Sequence, residues 1–155
     1  MRIHIHAIGT RPPSWVVEGY QEYSKRMPRN CQLELHELSL SKRSKNQTND
    51  RARQQESERL LANIGKRNYI VALDERGDHW STQQLADKLA NWMQQGQDVS
   101  LLIGGPDGIS QTVLEQASVC WSLSRLTLPH ALVRIFLAEQ LYRATSLLQN
   151  HPYHK

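Results

Sequence analysis

The fold is decided by the stretch Val99-Ser100-Leu101-Leu102-Ile103-Gly104-Gly105-Pro106-Asp107-Gly108, in which a short apolar run meets a glycine-rich turn. A second apolar run of the same length, Tyr69 to Leu73, is rich in β-forming residues, and both runs are typical of strands buried on two faces. Between them, a helix is predicted from the capping residues Ser81 and Thr82 to Gly96. Two buried strands joined by a helix predict a parallel crossover, and therefore an α/β sheet with helices on both faces.

The rest of the chain continues this alternation of strands and helices. The patterns predict a strand over Arg2 to Ala7, a helix capped by Ser14 that ends before Pro28, a strand over Gln32 to Leu38, a helix anchored by Leu60, Leu61 and Ile64, a helix from Ser110 to Cys120, a short strand around Leu126 to Leu128, and a final helix over about Ala131 to Gln149. At 155 residues the chain is in the usual range for one domain, so we expect a single domain over 1–155.

Positive charge is concentrated in one region of the sequence. The chain carries a formal net charge of +4, and eight basic residues stand against three acidic ones between Lys42 and Arg67. Within this region the polar segment of about 39–50 has almost no apolar anchors, which predicts a mobile surface loop. A solvated loop needs no function, but a basic cluster favours a polyanionic partner such as RNA.

Several classes of protein are disfavoured. No apolar run approaches membrane-spanning length, and the first residues alternate at once, as no signal or transit peptide does, so we expect a cytoplasmic protein without a membrane partner. Cys31 and Cys120 have no cysteine or histidine beside them at ligand spacing, so we expect ordinary thiols and no metal. His4 and His6 lie on the alternating polar face of the first strand and are interpreted as structural.

The final predicted helix has almost no polar face. It carries nine large apolar side chains: Leu132, Val133, Ile135, Phe136, Leu137, Leu141, Tyr142, Leu147 and Leu148. A helix that is apolar nearly all round must be covered on both sides, and the sheet of a small domain covers one side. We therefore expect a homodimer, with a central core helix in a monomer as the alternative.

The glycine-rich turn is the leading candidate for a binding site. It follows a buried strand, where open α/β sheets bind ligands, and glycine lets backbone amides approach a ligand closely. Its spacing matches neither a dinucleotide fingerprint nor a phosphate loop, so neither NAD nor ATP is indicated. Leu73-Asp74 and the segment Ser122 to Leu128 end neighbouring strands and could line the same crevice. A tight turn without a ligand remains the alternative.

The last residues, Asn150 to Lys155, contain two imidazoles and a phenol. Chain ends are usually disordered, but histidine and tyrosine also stack on bases and move protons. Arg134 and Arg143, on the helix before this tail, could hold a phosphate or a carboxylate, or lie at an interface.

Together these segments resemble the RlmH (YbeA-type) family of SPOUT-class methyltransferases along the whole chain. The matching segments are Ala7-Ile8-Gly9-Thr10, Tyr23, Leu73-Asp74, Leu102 to Gly108, Ser122-Leu123-Ser124, Leu126 to His130, Arg134, Glu139 to Ala144 and His151-Pro152-Tyr153-His154. The resemblance implies a SPOUT-type parallel sheet whose C-terminal part, about 70–155, forms a trefoil knot. It also implies methylation of N3 of a pseudouridine in 23S ribosomal RNA, on assembled ribosomes, with S-adenosylmethionine as methyl donor.

The same resemblance implies the site residues. The cofactor would contact Leu73, Gly104, Gly105, Leu123, Ser124, Arg125, Leu126, Thr127 and Leu128, largely through backbone groups. His154, Tyr153 and Arg143 would complete the catalytic site, reaching the cofactor pocket of the partner subunit. His154 is the first candidate for the group that accepts the N3 proton, and His130 is the second. An RNA ribose 2′-O-methyltransferase of the same fold and a ribosome-binding factor without catalysis are the alternatives.

Overall fold

A computed structural model describes residues 1–155 and has one five-stranded sheet at its centre. The strands lie in the order β2-β1-β4-β3-β5, and every neighbouring pair is parallel. The elements are β1 (Arg2–Ile8), α1 (Ser14–Ser24), β2 (Gln32–Leu38), α2 (Asn49–Ala62), β3 (Tyr69–His79), α3 (Thr82–Gln95), β4 (Val99–Ile103), α4 (Gln111–Gln116), β5 (Val119–Ser122) and α5 (His130–Leu148), followed by a short 3₁₀ helix at Pro152–His154. The predicted parallel α/β sheet with flanking helices is confirmed.

Helices cover the sheet on both faces, because alternate strand residues point to opposite sides. On one face Ile5, Val71 and Leu101 pack with α1, α3 and α5 in the larger apolar cluster. On the other face Ala72 and Leu102 pack with α2 and α4 in a smaller one. All five residues of β4 are buried, as its sequence, apolar at four of five positions, predicts for a central strand.

The helix between the two decisive strands begins and ends as expected. The Ser81 side chain accepts from the Gln84 amide, the Gln84 side chain accepts from the Ser81 amide, and Gly96 ends the helix in the left-handed conformation. One cap differs from the prediction: Pro13 rather than Ser14 is the N-terminal cap of α1, without a side-chain cap bond. For α2, no cap was predicted, and Thr48 caps it through its hydroxyl, which accepts from the Arg51 amide.

The region after β4 differs from the prediction. The helix predicted from Ser110 to Cys120 is present as α4, with Ser110 as its N-terminal cap, but its predicted end was wrong, because α4 ends at Gln116 and Val119–Ser122 forms β5. Valine and tryptophan favour a strand, and pairing with β3 provides the partner that the local pattern did not show. The predicted strand around Leu126 to Leu128 was also wrong, because these residues lie in a loop where Leu126 is 77% exposed.

The basic segment has ordered contacts at its start. Ser41 is buried, and Arg59 of α2 donates to its hydroxyl oxygen and to the carbonyl oxygen of Ser39. Lys42 and Lys45 are exposed, as are Arg51, Lys66 and Arg67. No helix of the chain is both long enough and apolar enough to span a bilayer.

Candidate functional site

A cavity of about 720 Å³ opens at the carboxyl ends of β3, β4 and β5. Open parallel sheets bind ligands at this edge, and the volume is typical of small-molecule sites, which run from about 300 to 1,000 Å³. The structure brings together eight of the nine predicted cofactor residues in its lining: Leu73, Gly104, Gly105, Leu123, Ser124, Leu126, Thr127 and Leu128. The ninth, Arg125, is exposed and does not line the cavity.

The glycine turn has no room for side chains. A Cβ atom on Gly104 would lie 2.7 Å from the backbone carbon of Gly108, and one on Gly105 would lie 2.5 Å from Oε2 of Glu56. Gly108 has a φ of +77°, in the left-handed region that favours glycine. The turn can therefore fold back on itself only because these positions are glycine, and its backbone forms one wall of the cavity.

The loop between β5 and α5 forms the opposite wall of the cavity, and it does so with backbone groups. The Ser122 hydroxyl donates to the carbonyl oxygen of Ser124, and the Ser124 hydroxyl oxygen accepts from the Leu126 amide at 2.9 Å. The amides of Thr127 and Leu128 donate to no other group of the chain. Two serines thus shape the loop and leave its later amides free for a ligand.

An outward bulge in β3 forms a third wall that the sequence did not predict. Leu73 and Asp78 both align with Trp121, so the residues between them leave the sheet. Gly77 permits this bulge, because a Cβ there would lie 2.6 Å from the backbone of Cys120. A hydrogen bond from Arg76 lowers the pKa of Asp74, which keeps a carboxylate at the cavity. In the sequence, the charged residues Asp74-Glu75-Arg76 followed by Gly77 are the pattern that could have indicated this bulge.

The start of α5 is fixed to the glycine turn. Nε2 of His130 lies 2.9 Å from the carbonyl oxygen of Gly104, and burial lowers the pKa of His130. Arg134, one turn later, is buried and donates to the carbonyl oxygen of Gly9 and to Glu37. Arg134 is therefore used within the chain, whereas the imidazole of His130 lines the cavity.

A buried ion-pair network supports the other side of the turn. Glu56 of α2 is only 1% exposed and accepts hydrogen bonds from the Ser41 amide and from Arg43. The same guanidinium donates to Asp107 of the glycine turn at 2.9 and 3.0 Å. Arg43 thus joins the basic segment to the cavity wall. The sequence did not predict this role, because the pairing spans 64 residues.

The tail residues do not reach the cavity of their own chain. Arg143 lies thirteen positions after His130, which places it about 20 Å further along α5 at 1.5 Å per residue. Glu139, four positions before Arg143, accepts from the Tyr153 hydroxyl at 3.1 Å and from Arg143. The sequence pattern did not predict that Glu139 contacts both Arg143 and Tyr153.

The predicted catalytic groups differ in their surroundings. Burial, followed by a hydrogen bond with Tyr23, raises the pKa of Tyr153 to about 12, so its phenol stays protonated near neutral pH. Nδ1 of His154 is buried and has no hydrogen-bond partner in the chain, which is unusual for a polar atom. The structure therefore brings Arg143 and Tyr153 together on Glu139, with His154 next to Tyr153 in the 3₁₀ helix, and none of these residues lines the cavity.

Sequence comparison gives a match over the full chain. A family model described as predicted SPOUT methyltransferase matches residues 1–154. A protein of Nitrosococcus oceani named ribosomal RNA large subunit methyltransferase H is 54% identical over 155 residues, covering 100% of this chain and 99% of the relative. A protein of the same name from Methylococcus capsulatus is 50% identical and covers 100% of both chains. The resemblance found in the sequence motifs is confirmed.

Solved structures support the fold at low sequence identity. A tRNA (m1G37) methyltransferase from Aquifex aeolicus superposes with a TM-score of 0.51 at 14% identity, covering 92% of this chain and 70% of that one. The putative methyltransferase Lpg2936 from Legionella pneumophila, solved with bound S-adenosylmethionine, gives 0.51 at 13% identity and covers 93% and 66%. With the family match over residues 1–154, the conclusion is that this chain belongs to the SPOUT methyltransferase family.

Proposed function

We propose that this chain methylates large-subunit ribosomal RNA with S-adenosylmethionine as methyl donor. The observation that carries the proposal is the cavity at the strand ends, whose walls are a side-chain-free glycine turn and a loop with free amides. The names of the relatives from Nitrosococcus oceani and Methylococcus capsulatus support the RNA substrate. The cofactor-bound structure of a protein with the same fold supports the methyl donor.

The cavity fits S-adenosylmethionine in volume and in chemistry. The free amides of Thr127 and Leu128 can donate to an adenine ring, and the glycine turn lets the backbone approach a ligand closely. The carboxylate of Asp74 suits a cofactor that carries a sulfonium and an ammonium group. Leu73, Leu123 and Leu126 provide apolar surface. The cofactor, when bound, supplies a methyl group that is already activated for transfer.

The remaining task of the protein is to hold a nucleophilic RNA atom in line with that methyl group and to remove its proton. We assign the target as N3 of a pseudouridine, following the motif resemblance. His154 would accept the proton, because a neutral imidazole has suitable basicity and its Nδ1 has no partner within the chain. Tyr153, whose pKa is raised, would orient the base as a neutral phenol, and Arg143 would hold Glu139 and the tail in place.

The site would then require two copies of the chain. Arg143, Tyr153 and His154 do not line the cavity of their own chain, so the tail of a second copy would complete that cavity. Exposed apolar side chains on α1 and α5, including Trp15 at 50% and Leu132 at 42%, provide surface for a homodimer. We also propose a knotted path over about 70–155, following the motif resemblance.

The exposed basic residues of the region from Lys42 to Arg67 supply the RNA-binding surface. Lys42, Lys45 and Arg51 are exposed and make no ion pair within the chain. Exposed basic side chains of this kind bind RNA through its phosphates, by charge and shape. This mode of binding suits recognition of an assembled ribosome in the cytoplasm by a small enzyme. The whole chain, residues 1–155, would act as one domain.

Methyl transfer to ribosomes tests the proposal. Ribosomes from a strain without the enzyme are incubated with the protein and isotope-labelled S-adenosylmethionine, and nucleosides from the large-subunit RNA are identified by mass spectrometry. We expect label on N3 of one pseudouridine. Label on a ribose 2′-oxygen would contradict the target assignment, and binding to ribosomes without any transfer would contradict catalysis.

The role of His154 has its own test. In His154→Ala the turnover number should fall by about 100-fold or more, the usual contribution of a general acid or base, while the affinity for S-adenosylmethionine changes little. His79→Ala is the control, because His79 is an exposed histidine outside the tail. An equal loss of turnover and cofactor affinity in His154→Ala would mean that its role is structural.

A further inference from the structure

Three potential metal ligands converge on the sheet face that carries α2 and α4. The β1–β2 register pairs His4 with Glu34 and His6 with His36, so alternate positions place these side chains on one face. Nδ1 of His4 lies 3.1 Å from Nε2 of His36 and 3.3 Å from Oε2 of Glu34, and the third side of this triangle measures 3.9 Å. None of the three residues lines the proposed cofactor cavity.

We propose that His4, Glu34 and His36 bind a divalent transition metal ion, with Zn²⁺ as the preferred ion. Ligands at about 2.0–2.1 Å in tetrahedral geometry lie roughly 3.3–3.4 Å apart, close to the separations of the three donor atoms here. Two imidazole nitrogens and one carboxylate oxygen are a ligand set that zinc accepts. A water molecule would take the fourth position.

Charged neighbours lie beside two of these ligands, on the side away from the proposed ion. Nε2 of His4, the nitrogen that faces away from the triangle, lies 3.7 Å from Oδ2 of Asp98, and the other oxygen of Asp98 accepts from the Arg2 amide at 2.7 Å. Nε of Arg2 lies 3.3 Å from Oε1 of Glu34, which leaves Oε2 for the metal. A carboxylate behind a ligating histidine fixes the ring and its tautomer in known metal sites.

The site changes two expectations. The sequence predicts a structural role for His4 and no metal, because ligand spacing along the chain does not show residues that meet only in the folded sheet. His4 and His36 are 32 positions apart and meet only because their strands pair. Since β2 is an edge strand, a bound ion would join it to β1 and stabilise the folded chain. The alternative is a hydrogen-bonded histidine pair that binds no metal.

Cobalt titration tests the proposal directly. Tag-free protein is stripped with a chelator and titrated with Co²⁺, whose visible absorption reports four-coordinate binding. We expect one equivalent per chain. His36→Asn should lower the affinity for Co²⁺ on the order of 100-fold or more, since removing even a residue that only orients a ligand lowers metal affinity about 10–100-fold. Asp98→Asn should give a loss of about tenfold. His79→Asn, which removes an exposed histidine at the end of β3, should leave the affinity for Co²⁺ unchanged.

Thermal unfolding gives an independent readout. Zn²⁺ should raise the unfolding midpoint of the chelator-treated protein and of His79→Asn, and it should leave that of His36→Asn unchanged. Circular dichroism before titration confirms that each variant is folded. Absence of saturable Co²⁺ binding, or equal binding by His36→Asn, would overturn the proposal and leave the histidine pair as a purely structural feature.

Discussion

Nε2 of His130 lies 2.9 Å from the carbonyl oxygen of Gly104, and this contact joins the first residue of α5 to the glycine turn. A carbonyl oxygen only accepts, so the imidazole donates. The contact lies between the two loops that line the proposed cofactor cavity, and it therefore helps to fix the distance between them.

The protonation of His130 should make stability depend on pH. Burial lowers its pKa below the ordinary value of 6.5, so between the lowered value and 6.5 the unfolded chain binds more protons than the folded chain. The free energy of unfolding should therefore decrease as the pH falls through that window. Urea unfolding at a series of pH values between about 5 and 7 measures this slope.

The control for this prediction is His130→Gln, which keeps a side-chain donor but does not titrate. Its unfolding free energy should change less with pH than that of the unmodified protein. Identical slopes would show that the neutral form of His130 is not favoured by folding.

Gly104→Ala should weaken cofactor binding. The new Cβ would lie 2.7 Å from the backbone of Gly108, so the turn must open. We expect the affinity for S-adenosylmethionine to fall by about tenfold or more, a change of at least about 1.4 kcal/mol by calorimetry. Gly96→Ala is the control: it strains the end of α3, where nothing lies within 4 Å, and should leave cofactor affinity unchanged. Unaltered binding by Gly104→Ala would contradict the assigned cavity wall.

Glu56→Gln should destabilise the fold. The change removes the charge of a buried carboxylate that pairs with Arg43, and breaking such a pair costs about 3–5 kcal/mol. Glu58→Gln, an exposed position on the same helix, should alter the unfolding free energy by less than about 0.5 kcal/mol. Chemical denaturation of both variants measures the difference. Equal stability would mean that the Arg43 network does not support the turn.

The buried strands and the helix between them could be predicted from the sequence, because burial on both faces leaves a continuous apolar run. Val99 to Ile103 is apolar at every position except Ser100, and all five of its residues are buried. The glycine turn after this strand could be assigned to a ligand-binding site because its pattern is also local. Local spacing shows where a strand ends and where glycine removes side chains.

Features that depend on pairing between distant residues could not be predicted. Val119 to Ser122 is a strand only because β3 lies beside it, and the preceding residues favour a helix. The bulge before Asp78 is visible only in the register with Trp121. The link from Arg43 to Asp107 likewise joins residues 64 positions apart. In each case the partner in space decides the local structure.

The measurement that tests the central claim most directly is activity in mixed dimers. Gly104→Ala has a damaged cavity and an intact tail, and His154→Ala has the reverse, so at a cofactor concentration well below saturation each alone should have little activity on ribosomes. After subunit exchange, we predict recovery of roughly a quarter of the unmodified activity, because random pairing makes about half of the dimers mixed and each of these has one complete site. No recovery, with mixed dimers verified by mass, would contradict a methyl-transfer site shared between two chains.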